Sequence, residues 1–218
     1  MTRATTSVTR GPLAVMLGVA AGCWAAAIWQ MHGMDMGAAS ALGSLGSFIG
    51  VWVPMMAAMM LPGAVPAVLR VAHGGAGPVR AAMFLSAYLA VWSLGGLVMY
   101  ALYRPHGAPV AAGVVLAAGL YELTPVKRYF RRRCQESLDS GVGFGAYCVG
   151  SSIGLMAVMA AVGVMSVIWM AVIAVLVLGQ KLAGASAAVD VPLALAIIAF
   201  AAVIIVAPST VPGLTPAM

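Results

Sequence analysis

The 218-residue chain is 63% hydrophobic and only 7% charged, with a mean hydropathy of +1.06, values that a water-soluble surface cannot accommodate. At roughly 20 apolar residues per crossing of a ~30 Å hydrocarbon core, the chain holds six or seven spans and no separate soluble domain. A net charge of +6 would suit nucleic acid in a soluble protein, but here the basic residues fall in short connections where they set membrane orientation, so nucleic-acid binding is not supported.

The apolar segments lack the alternation of a membrane barrel and are rich in Ala, Gly and Leu, which predicts an all-α polytopic transmembrane helical bundle forming a single domain. In chain order they cover residues 12–29, 44–69, 81–103, 110–123, 144–179 and 191–206. The first follows "MTRATTSVTR" as a signal peptide would, but is long enough to span. The fifth would form a helix of about 54 Å, nearly twice the membrane core, and is expected to break near Gly163. Gly46 with Gly50, and Gly95 with Gly96, predict close helix packing.

Basic residues orient the spans. Residues 1–11, with Arg3 and Arg10, are expected in the cytoplasm, and residues 30–43 outside. Arg70 and Arg80 then fall inside, Arg104 and His106 outside, and the run "KRYFRRR" inside, within a basic loop at 124–143. A hairpin turning outside at Gly163 to Ser166 brings Lys181 back inside and gives seven spans. Six spans, with a tilted or re-entrant fifth segment, is the alternative.

Sulfur is concentrated twice. The outer loop reads "MHGMDM", so His32, Met34 and Met36 alternate imidazole and thioether in a short glycine-containing segment able to fold around an ion. The second span reads "PMMAAMMLP". Met55 and Met59 are four apart, as are Met56 and Met60, and so form two adjacent stripes on one side of a helix. Thioethers are soft, neutral donors that suit Cu(I) without burying charge; the competing reading is that Met simply packs the core.

Depth follows from the helical rise: Met55 at ~16 Å and Met60 at ~24 Å from the outer face, Glu122 at ~18 Å from that face, and Met156 at ~18 Å from the inner one. Glu122 in "YELTP" is the one acidic residue within these spans. An intramembrane carboxylate is costly unless it is paired, protonated or bound to a cation. It is therefore either a cation-site residue or the partner of nearby Lys127 or Arg128. Three cysteines are too few for a disulfide framework. Cys148 lies on one helical face with Ser151 and Ser152 and is a metal-ligand candidate; Cys134 reads as a loop thiol and Cys23 as packing. His73 and His106 lie in turns and receive no role.

Three blocks, "VWVPMMAAMMLP", "YELTPVKRYFRRRC" and "YCVGSSIGLM" with "GVMSVIWM", occur in this order, and together the chain resembles the bacterial family of predicted metal-binding integral membrane proteins known as domain of unknown function 2182. The resemblance implies a polytopic membrane protein that handles metal, with copper the expected ion. Family members carry a cysteine where Phe130 stands and a cysteine pair where Ser151 and Ser152 stand, so the chain retains Cys134 and Cys148 without those three partners.

The expectation is a copper(I)-handling protein of the bacterial cytoplasmic membrane. His32, Met34 and Met36 would capture metal outside, and Met55, Met56, Met59, Met60 and Met156 would hold or pass it near Glu122, toward a metal-accepting protein or across the bilayer. A metal-containing membrane oxidoreductase subunit and a metal-free structural subunit of a membrane complex are the alternatives. Neither a nucleotide-binding glycine loop nor a nucleophile-base set supports a hydrolase or phosphotransferase.

Overall fold

A computed structural model describes residues 2–32, 38, 42–72, 77–164 and 166–214, with side chains from Leu13 onward. Its regular structure is helical: α1 (Thr2–Met31), α2 (Leu45–Val71), α3 (Gly77–Leu102), α4 (Ala108–Glu122), α5 (Pro125–Glu136), α6 (Gly141–Val162), α7 (Val167–Leu182) and α8 (Ala187–Val206). The all-α bundle is as the sequence predicts. Among the described residues, five helices are long and apolar enough to cross a membrane, or six if α4 and α5, bent by 65° at their junction, count as one. The remaining apolar helix, α7, has 16 residues and a length of about 24 Å.

Local sequence sets the helix ends. Ser44, Thr124 and Ser140 cap α2, α5 and α6, each side-chain oxygen accepting the N–H three residues on, which satisfies one of the unpaired donors of the first turn. Pro125 at the start of α5 needs no donor there. The expected break at Gly163 is present: this residue ends α6 at φ 141°, in the region that favours glycine. The segment read as a basic loop carries α5, an amphipathic helix whose buried residues are Lys127, Arg131 and Cys134.

Most helices bury one stripe and leave the other side to lipid. In α3 the buried stripe is Ala81, Phe84, Tyr88, Trp92 and Gly96; in α8 it is Asp190, Ala194, Ile197, Ala201 and Ile204. Val79, Met83, Leu94, Val175, Leu195 and Ile205 are each more than half exposed, an apolar exterior suited to a bilayer. Helices α2 and α6 form the interior: α2 packs on α1, α3 and α7, while α6 packs on α3, α4, α5 and α7.

Close approach occurs at one of the expected glycines. The Trp52 ring fills the space beside Gly96, and its Nε1 donates to the Trp92 carbonyl at 3.0 Å. Among the described residues, a β-carbon at Gly46, Gly50 or Gly95 would meet nothing within 4 Å, so these positions make no close packing with them.

The two ends of the bundle differ. At one, Ala38 bonds to Gly213 and His106, the His106 ring reaches the Ala161 carbonyl at 3.1 Å, and Trp169 Nε1 donates to the Pro212 carbonyl at 2.9 Å. At the other, Arg70 of α2 donates to the Gln135 carbonyl of α5 at 3.4 Å. The α6–α7 turn therefore lies at the same end as Ala38 and the α3–α4 connection, while Lys181 returns to the end that carries α5.

Candidate functional site

The methionines of the second span lie in the middle of the bundle. Met55, Met56, Met59 and Met60 are 0–2% exposed and share one side of α2, as their spacing requires. Gly63 continues that face one turn on, and there the Lys181 side chain of α7 occupies the space a β-carbon would need, with Nζ at 3.2 Å. Met159 of α6 is also buried, whereas Met156 is partly exposed and lines a wide apolar groove between α3 and α6 with Trp52 and Trp92.

Beyond Gly63 lies a group of polar side chains. Lys181 Nζ donates to Cys148 Sγ at 3.0 Å and to the Tyr88 hydroxyl at 3.4 Å; the Tyr88 hydroxyl and Cys148 Sγ are 3.3 Å apart. Cys134 Sγ lies 4.0 Å from the carbonyl of Phe144, one helical turn before Cys148. All three cysteines are unbridged, and Cys134 and Cys148 are buried. A cavity of about 80 Å³ adjoins Cys134, lined also by Gly63, Ser151, Ser152, Gln180 and Lys181 among others.

Two buried ion pairs fix the walls of this region. Glu122 is the last residue of α4, and its Oε2 accepts from Lys127 Nζ and, at 2.8 Å, from Gln180 Nε2. Both members of the pair are fully buried. Arg131 donates to Asp190 and to the carbonyls of Gln180 and Gly184, tying α5 to the α7–α8 connection. Such pairs are tolerated in an apolar interior only where further hydrogen bonds accompany them. Among the described residues, Glu122 Oε1 and Asp190 Oδ2 have no partner.

The expected site residues are therefore distributed. The four α2 methionines are together, Cys148 lies beyond them beside Lys181 and Tyr88, and the polar contacts of Glu122 are Lys127 and Gln180. Glu122 pairs with Lys127, the contact that one of its two sequence readings expects. His32 is exposed just beyond α1; Met34 and Met36 lie outside the described residues, as does His73. Among the described residues, no three His, Cys, Asp or Glu side chains gather as a metal cluster. Phe130, where the family resemblance implies a cysteine, packs its ring on Gly150 and near Tyr147.

Sequence reasoning missed Lys181, Tyr88, Gln180, Arg131 and Asp190 as members of this site, and treated Cys134 as a loop thiol. One signal was available. Lys127, Arg131 and Cys134 are spaced four and three apart, which on a helix puts them on one face. Reading this segment as a loop concealed that face.

A family model described as PpoB2, copper chaperone, matches residues 49–204, well over half of the chain. The chain matches no curated protein and no solved structure. The matched region runs from α2 into α8 and contains the buried methionines, both buried thiols and both ion pairs. The chain belongs to the PpoB2 copper-chaperone family.

Proposed function

We propose that this chain is a single-domain, membrane-embedded Cu(I) chaperone of the bacterial cytoplasmic membrane. In this reading it loads metal at the loop bearing His32, Met34 and Met36 and holds it on the thioethers of Met55, Met56, Met59 and Met60. One observation carries the reading: four thioethers, each 0–2% exposed, occupy one side of the most buried span. Neutral sulfur can bind a soft monovalent cation there without adding buried anions. Glu122 contributes negative potential and anchors α4 to α5 and α7 rather than acting as a direct ligand, because Lys127 and Gln180 already engage its Oε2. The metal leaves for a metal-accepting protein at the end of the bundle that carries α5.

Replacement of Met55 and Met59 by Leu tests the holding site, since Leu preserves volume at a cost usually below ~1.5 kcal/mol while deleting the donor sulfur. The detergent-purified double variant should retain its fold and bind less Cu(I) at saturation than wild type. Equal Cu(I) stoichiometry would reduce these methionines to packing and remove the holding site.

A further inference from the structure

The cavity beside Cys134 carries a charge that neither the methionine face nor the two ion pairs account for. Three cationic side chains line it, Arg70 of α2, Arg131 of α5 and Lys181 of α7, and among the described residues no Asp or Glu side chain does. Arg131 is neutralised by Asp190. Arg70 and Lys181 are not, because the ion pairs among the described residues are Lys127 with Glu122 and Arg131 with Asp190. Two positive charges thus line one cavity without a counter-charge.

Hydrogen-bond donors are also left over there. Lys181 Nζ, partly buried, donates to Cys148 Sγ at 3.0 Å and to the Tyr88 hydroxyl at 3.4 Å, which leaves the third N–H of its ammonium. The Arg70 guanidinium reaches only the backbone carbonyls of Pro66 and Gln135, at 3.3 and 3.4 Å, longer than the charge-assisted bonds it forms with an oxyanion. Ser151 donates to the Cys148 carbonyl at 2.8 Å. Ser152 also lines the cavity, but its hydroxyl has no hydrogen-bond partner among the described residues although the residue is only 3% exposed. A hydroxyl so placed calls for a partner.

We infer that this cavity binds a phosphate-type oxyanion, held by Lys181, Arg70 and Ser152. Charge selects the class. Inorganic phosphate or a phosphate monoester carries roughly −1.5 to −2 charges near neutral pH, which matches the two uncompensated cations, whereas a carboxylate or a halide cancels only one. Size agrees: a volume of about 80 Å³ is several times the ~10–15 Å³ that admits one water. Arg supplies a planar fork that suits oxyanions, and Lys a point charge. Arg70 and Gln135 are exposed, so the cavity opens beside them at the end of the bundle that carries α5. The same chemistry comes from dissolved phosphate or from the headgroup of a phosphomonoester lipid in the adjoining leaflet. The bound anion ties α2, α6 and α7 together, since Arg70, Ser152 and Lys181 each contribute from a different helix. The inference involves no metal and stands apart from the copper reading.

The test uses the full-length protein, delipidated in an uncharged detergent without copper and titrated calorimetrically at constant ionic strength. Sodium phosphate should bind at one site per chain. Arg70→Gln and Lys181→Met should each raise Kd by roughly tenfold or more, and Ser152→Ala by roughly fivefold, while Arg132→Gln on the exposed side of α5 should leave it unchanged. Short-chain phosphatidic acid separates the sources. If the headgroup is the ligand, this lipid binds and displaces phosphate while the matching diacylglycerol does not; if dissolved phosphate is the ligand, the lipid fails to compete. Binding of neither phosphate nor phosphatidic acid would leave a cavity that holds only water and overturn the site. A Kd that rises as much with Arg132→Gln as with Arg70→Gln would overturn it too, by moving the anion to the basic surface. The first of these outcomes needs no variant and the second changes only exposed residues, so misfolding of the Lys181 variant obscures neither.

Discussion

The side chain of Lys181 runs through the space that a β-carbon on Gly63 would fill and ends 3.0 Å from the Cys148 sulfur. Residue 63 can therefore only be glycine if Lys181 is to hold its position, although the backbone there is ordinary helix. Gly63→Ala forces the lysine aside and breaks its contact with Cys148. A loss of about 1–3 kcal/mol is expected from overpacking at such a site, measured by thermal unfolding in detergent. Wild-type stability would mean that the lysine swings away without loss.

The pairing of Lys127 with Glu122 gives a sharper stability test. Lys127→Met leaves a fully buried carboxylate with Gln180 as its remaining hydrogen-bond donor, and breaking a buried pair on one side costs about 3–5 kcal/mol. The double variant Lys127→Met with Glu122→Gln should recover most of that loss, because no unpaired charge remains. Equal stability of the single and double variants would show that the carboxylate does not depend on Lys127.

Orientation is tested by cysteines introduced at Met34 and at Arg132. Native Cys134 is a poor reporter, since it is buried and would resist a thiol reagent on either side of the membrane; Arg132 on the same helix is exposed. In intact cells a membrane-impermeant maleimide should label the cysteine at position 34 and leave the one at 132 unlabelled. The reverse pattern would move the capture loop to the cytoplasm.

Capture and retention separate kinetically. Met34→Leu with Met36→Leu should slow Cu(I) loading severalfold while leaving the final stoichiometry near wild type, because the buried thioethers of α2 are untouched. Stopped-flow mixing with a chromogenic Cu(I) chelate measures the rate. An unchanged rate would show that metal reaches α2 without the loop.

Apolar length and composition made the bundle legible, since only helices of about 20 residues satisfy their own backbone groups across a bilayer. The break at Gly163 followed from the same arithmetic, because a continuous helix over that stretch would overshoot the membrane. The burial of Met55, Met56, Met59 and Met60 as one face was visible in their spacing, and the Glu122–Lys127 pair was visible as a local contact five residues apart. These features depend on distances along one helix or across one turn, which sequence separation encodes directly. The cluster around Cys148 does not. Lys181 meets a sulfur 33 residues away and a phenol 93 residues away, and Arg131 meets a carboxylate 59 residues away. Those contacts arise because α3, α5 and α7 pack around α2 and α6 with particular faces inward. In a chain apolar on nearly every side, hydropathy does not distinguish the lipid-facing side of a helix from its packed side. The choice falls to shape, at positions such as Gly63 and Gly96 where neighbours come close, and to the need of each buried polar group for a partner. Tertiary packing thereby made Lys181, a residue that in sequence only marks the inner end of a span, the neighbour of a thiol.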